Sequence, residues 1–205
     1  MPWDSAVYSV DALKGAKIGI SSAGSLTDWL AQQLARHKEW GPGGITKVTV
    51  GNALAAMVAA FHTHEIQAAV LTTADIFEME SKHEGRLLIP VSDYVGNIAA
   101  GAIFATRSII TRDPQAIREF IAGWLETITY MRAHHEQAIK LESEVTGFAP
   151  AVQSEEFNHT ISMFSSTCRF DGQSLANLRQ SFIDLKTVSS PPDMTKLYTS
   201  EFLPR

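Results

Sequence analysis

The pattern of apolar and polar positions divides the chain into two stretches of different rhythm. In the first, short β-forming runs alternate with amphipathic runs at helical spacing. Residues 16–20 (AKIGI) read as a strand, and 25–38 as a helix with Leu26, Trp29, Leu30 and Leu34 on one face. Ser25 followed by Asp28 is close to a capping box, with Asp in place of Glu. After the turn GPGG (41–44) come a strand at 45–50, a turn and cap at Gly51-Asn52, and a helix at 53–63 carrying Leu54, Met57, Val58 and Phe61. A third strand is expected at 66–71 (IQAAVL), and a helix capped by Thr72 or Thr73 from 74 to about 82. Fourth and fifth strands are expected at 86–91 (RLLIPV) and 100–107 (AGAIFATR). This alternation with short connections predicts a parallel, open α/β sheet.

From Asp113-Pro114 onward the pattern is helical. Ile117, Phe120, Ile121, Trp124, Leu125, Ile128 and Met131 keep helical spacing for about five turns. Further helices are expected at about 134–145, 150–164 and 173–187, followed by an irregular, proline-bearing tail.

In a parallel α/β unit, each strand points its carboxyl end at the start of the next helix. The joints at Ser21 to Ser25, Gly51-Asn52 and Thr72-Thr73 therefore lie along one sheet edge, where open α/β sheets bind ligands. Helix starts there present unpaired N–H groups and a partial positive charge, which suit an anionic or strongly polar small molecule. Ser25, Asn52 and Thr73 serve equally well as ordinary helix caps, and both readings stay open.

Composition narrows the choice. Hydrophobic residues make up 45% of the 205 and charged residues 19%, enough for a sizeable core. The net charge of -5, with no basic run, argues against nucleic acid as a partner. The single cysteine, Cys168, excludes an intrachain disulfide and a cysteine-built zinc site. No apolar run reaches membrane-span length, and the first fifteen residues lack the basic and apolar regions of a secretory signal. The chain as written is thus expected in the cytosol if it is complete.

No P-loop, GxGxxG, HExxH or GxSxG occurs. The cluster His62 to Glu65 ends a helix, where adjacent positions do not converge on one ion, and His134-His135 sits between helices. Cys168 reads as an inert thiol, and Asp75 and Glu78 as a polar helix face. Trp29, Phe61, Phe120 and Trp124 sit in apolar stripes and read as core. No nucleophile, base and oxyanion hole assemble, so binding is favoured over catalysis, with no cofactor and no metal.

Five blocks then suggest a family: DALKGAKIGISSAGSLTDWLAQQL, KVTVGNALAAMVAAFHTHEIQAAVLTTADIF, RDPQAIREFIAGWLETITYMRAHHEQAIKLESEVTGF, FDGQSLANLRQSF and PPDMTKLYTSEFLP. In their order and spacing they resemble the solute-binding proteins of nitrate, sulfonate and taurine ABC importers. That superfamily also includes proteins of thiamine-pyrimidine-precursor synthesis. The resemblance implies a type II periplasmic-binding-protein-like α/β lobe with a parallel sheet at 10–100, the second lobe of such a protein. A returning strand and mostly helical segment at 101–205 would be a remnant of the first lobe. It implies a small anionic or heterocyclic ligand, held near Ser22, Gly24 and Ser25, with Thr27 a weaker candidate and Thr72 and Thr73 facing the same cleft; Asn52 joins these contacts through the shared sheet edge. It also implies an ABC permease as partner and a periplasmic location. The cysteine-rich motif of the thiamine-precursor proteins is missing, which speaks against their chemistry. The family's first stretch has no counterpart here. An excised fragment, a truncated reading frame, and a homodimer or partner-completed assembly each account for that.

Overall fold

A computed structural model describes residues 1–204. Three parallel strands form the sheet in the order β2-β1-β3, with β1 at Lys17–Ile20, β2 at Thr46–Thr49 and β3 at Ala68–Ala69. Lys17 pairs with Thr46 and Ile18 with both Lys47 and Ala68. Successive side chains on a strand point to opposite faces. Ile18 and Ile20 face helix α1 (Leu26–His37), packing with Ala31 and Leu34. Gly19 faces the other way, toward α2 (Leu54–His62), while α3 (Thr73–Ser81) adds Met79 to that side. The lobe is therefore a three-layer sandwich whose central strand is buried on both faces.

Gly19 sets the spacing of that sandwich. A Cβ built there would lie 2.7 Å from Ile66 Cδ1, 3.2 Å from Met57 Sδ and 3.3 Å from Ala69 Cβ. Gly19→Val must push aside the Ile66 side chain and the Met57 thioether in a packed layer. Overpacking of this kind costs about 1–3 kcal/mol, and valine is expected near the top of that range. Thermal unfolding checks it: a Tm within experimental error of the parent would show that the layer has slack.

The helices follow the sequence closely: α4 at Arg107–Arg112, α5 at Pro114–Ala133, α6 at His135–Thr146, α7 at Pro150–Thr160 and α8 at Gly172–Asp184. Asp113 caps α5 by accepting from the Ala116 N–H, and Gly147 ends α6 in the left-handed conformation. α7 packs on both α3 and α6, and α8 packs on α1. The helical segment thus grips the sandwich on both of its helix layers.

Several expectations fail. No strand forms at 86–91 or 100–107. Arg86 bonds its N–H to the Met1 carbonyl and Leu87 bonds to the Glu80 carboxylate, while Pro90 has no N–H to give. Leu88 and Ile89 are apolar because they cover the core, not because they pair. Residues 101–106 are exposed throughout. β3 shrinks to two residues, and Asn52 is no cap, since Ala53 occupies that position with no side-chain bond. Phe120 and Trp124 are not core residues: they are 59% and 39% exposed, whereas Trp29 and Phe61 are buried as expected.

Candidate functional site

Because the three strands run parallel, their carboxyl ends share one edge. The joint after β1 lies between those after β2 and β3. The topology therefore brings Ser22, Gly24, Ser25 and Thr27 to the middle of that edge, flanked by Asn52 on one side and by Thr72 and Thr73 on the other.

The central joint is built from hydroxyls. Ser21, Ser25 and Thr27 place their side-chain oxygens in a triangle, 3.0 Å between Ser21 and Ser25 and 2.9 Å along the other two sides. The Ser21 N–H donates to Thr27 Oγ1, the Ser25 hydroxyl donates to the Ser22 carbonyl, and the Asp28 N–H donates to Ser25 Oγ. Each hydroxyl is thus held by its neighbours. The turn passes through Gly24 at φ +79, a conformation that a residue with a Cβ rarely adopts.

Asp28 completes the joint from beneath. It is 4% exposed, accepts from the Gly24 N–H and from Gln32, and pairs with Lys47 of β2. Burial opposes its ionisation, but Lys47, the Gly24 N–H and Gln32 outweigh burial and hold the carboxyl below its ordinary value of 3.8. The capping box expected from Ser25 and Asp28 is therefore half realised: the serine caps the helix, while the carboxylate reaches back to Gly24.

With the hydroxyls engaged among themselves, the free donors are on the backbone. Among the described residues no acceptor meets the N–H groups of Ser22, Ala23, Leu26 and Thr27, or of Thr73 and Ala74. Thr72 caps α3, accepting from the Asp75 N–H and donating to the Asp75 carboxylate at 2.6 Å. Ser22, Gly24, Asn52 and Thr72 are exposed; Ser25, Thr27 and Thr73 are half-buried. The edge offers donors and partial positive charge to an anion.

Ser21 and Asp28 are participants that the sequence reading left out of the site. Asp28 carried a signal, its place three residues after Ser25, whereas Ser21 had only its position at the strand end. An open groove of about 580 Å³ lies elsewhere, between Gln32, Arg36, Glu39, Lys47 and the 41–45 turn, and touches none of the seven predicted contacts. Among the described residues no three metal-ligating side chains come together, and no helix is long and apolar enough to cross a membrane. Cys168 lies in the loop between α7 and α8, and burial pushes its thiol pKa up, away from the reactive thiolate.

One further contact fixes what stands beside the joint. Asp184, at the end of α8, accepts from Trp29 Nε1 at 2.9 Å and from Gln33 at 3.2 Å, and pairs with Arg36, all three on α1. The residues just after α8 are thereby brought against the turn: the methyl group of Thr187 would lie 3.8 Å from a Cβ on Gly24.

The fold is similar to that of the periplasmic aliphatic sulphonate binding protein SsuA from Escherichia coli, at TM-score 0.73 and 18% identity, covering 95% of this chain and 62% of that one. It is likewise similar to the alkanesulfonate-binding protein SsuA from Xanthomonas axonopodis pv. citri bound to MOPS, at TM-score 0.72 and 18% identity, covering 93% of this chain and 64% of that one. A desulfurization enzyme, DSZB, has a similar fold at TM-score 0.68 and 12% identity, with coverage of 98% and 72%. At these identities the likeness is one of fold. The chain spans less than two thirds of the length of the two binding proteins. Residues 2–138 match the family described as NMT1/THI5 like. No curated protein matches the chain.

Proposed function

The chain belongs to the NMT1/THI5-like family, and from that premise we propose that it is the solute-binding component of an ABC importer, or a truncated derivative of one. Its ligand is a small anion or heterocycle, with a sulfonate or nitrate as the leading class. The observation that carries this reading is the shared carboxyl edge, where unpaired N–H groups of two helix starts surround a hydroxyl turn whose own side chains are already satisfied. Two proteins of similar fold bind sulfonates, and MOPS is itself a sulfonate. In this reading residues 10–100 correspond to the second lobe and 101–205 to the returning part of the first. Ser22, Gly24, Ser25, Thr27, Asn52, Thr72 and Thr73 face the ligand. An importer permease is the functional partner, a second copy of the chain stands over the uncovered surface, and the periplasm is the compartment.

Turnover is not part of the reading, although DSZB shows that the fold hosts an enzyme. The lone thiol is pushed away from its reactive form, which supports binding over thiamine-precursor chemistry. A ligand-free interaction protein is the remaining alternative. Calorimetric titration with methanesulfonate, taurine and nitrate, beside a thermal-shift series, separates them. A ligand at a hundred times its Kd should stabilise the fold by about 2.7 kcal/mol. Ser25→Ala removes both the cap and one corner of the triangle that hold the turn's backbone N–H groups in place, and should weaken binding about tenfold, or about 1.4 kcal/mol. No heat and no Tm rise with any of the three would sink the anion-binding reading.

A further inference from the structure

Lys47 is a charged residue on a face of the sheet that is otherwise packed with apolar groups. It is the register partner of Ile18, so its side chain shares the face that α1 covers. There it meets Asp28 of α1, whose two carboxylate oxygens are divided. Oδ1 accepts from Lys47 Nζ and from Gln32, and Oδ2 accepts from the Gly24 N–H at 2.9 Å. Asp28 is 4% exposed and the Lys47 side chain 34%. Apolar side chains of similar volume hold such a contact as well as an ion pair does, so stability alone does not call for the charges. Their position has a different consequence. Oδ2 lies one hydrogen bond from a turn whose neighbouring N–H groups, on Ser22 and Ala23, meet no acceptor among the described residues. A carboxylate in that place repels an anion unless a cation cancels it.

We propose that Asp28 and Lys47 together set the anion affinity of the turn after β1. Asp28 takes up the Gly24 N–H and leaves those of Ser22 and Ala23 to the ligand, while Lys47 cancels the charge that Asp28 places beneath them. The proposal rests on the anion-binding reading of this edge, and makes both residues positioning residues that act through the turn. An anion bonded to those N–H groups at ordinary distances of about 2.9 Å sits about 6–8 Å from the carboxylate. Over that distance an uncancelled unit charge shifts Kd about threefold to tenfold. Removing one partner therefore changes the affinity in one direction, removing the other changes it in the opposite direction, and removing both restores it. Loss of a merely structural contact would weaken binding in every variant.

Calorimetric titration of the full chain with methanesulfonate and with nitrate, at pH 8 so that Asp28 stays ionised, tests it. Lys47→Met leaves the Asp28 charge uncancelled and should weaken binding about threefold to tenfold. Asp28→Asn keeps an acceptor for the Gly24 N–H, leaves the Lys47 charge uncancelled and should tighten binding about threefold. Asp28→Asn/Lys47→Met should return Kd to within about twofold of the parent's, a coupling that independent sites do not show. If Asp28→Asn does not fold, Lys47→Arg decides: it keeps the charge and should recover most of the affinity that Lys47→Met loses. Both single variants shifting Kd in the same direction, neither shifting it, or no recovery by Lys47→Arg overturns the proposal and leaves the anion-binding reading standing. A parent that takes up neither anion overturns both.

Discussion

Phe157→Ala should lower the Tm by about 10 °C or more. Phe157 is 2% exposed on α7, the helix that packs on both α3 and α6, and its ring lies tilted against that of His135, 5.1 Å away. Truncating a buried phenylalanine costs about 3–5 kcal/mol, the lost transfer energy plus the cavity left behind. In a chain of this size each kcal/mol moves Tm by about 2–4 °C. Because α7 joins the sandwich to α6, the variant should lose cooperativity as well, with the helical segment melting ahead of the sheet. Differential scanning calorimetry reads both. A single transition at the parent's Tm would show that α7 is held by other contacts.

Asp184→Ala is the second large effect. The Asp184 side chain is 6% exposed and satisfies Trp29, Gln33 and Arg36 on α1 as well as Gln180 on its own helix. Removing it leaves the buried indole N–H without an acceptor, a cost of about 1–3 kcal/mol. The ion pair adds less than a fully buried one would, because Arg36 is 52% exposed and water screens it. A total of about 3 kcal/mol is expected, with Asp184→Asn keeping part of the network and losing less. The same contact predicts a pH dependence. Burial opposes ionisation of Asp184, but Arg36, Trp29 and Gln180 together hold its carboxyl below the ordinary 3.8. A depressed carboxylate contributes stability that is full above 3.8 and lost as pH falls through that value toward the folded one. The parent should therefore lose stability below about pH 4, and Asp184→Ala should lose less over the same interval. Parallel acid slopes for the two proteins would dissociate Asp184 from the effect.

What the sequence revealed divides along physical lines. The joints at Ser21–Ser25 and Thr72-Thr73 were legible because strand period, turn residues and helix caps are local, and the parallel topology follows from their alternation. The strands expected at 86–91 and 100–107 were not. An apolar β-forming run records burial or propensity, while a strand also needs a neighbour with free hydrogen bonds. Leu88 and Ile89 are half-buried against the core without one, and Ile103 and Phe104 have neither burial nor a neighbour. The Phe120 and Trp124 stripe looked like core because helical spacing says which side chains share a face, not whether anything covers it. Asp184 gave no signal, since its partner Trp29 lies 155 residues away and a lone aspartate near a helix end looks ordinary.

The order in which these contacts occur along the chain has a kinetic consequence. Lys17 meets Thr46 and Gly19 meets Ala69, so the pairings of the sheet close within the first 69 residues. Contacts to α7 and α8 wait for residues beyond 150. At synthesis rates of about 5–20 residues per second, the sheet has seconds to form before its clamps emerge. With its pairings near one another in sequence, the sandwich is expected to form early and the clamps late. Gly19→Val should slow refolding, whereas Asp184→Ala should leave refolding nearly unchanged and accelerate unfolding.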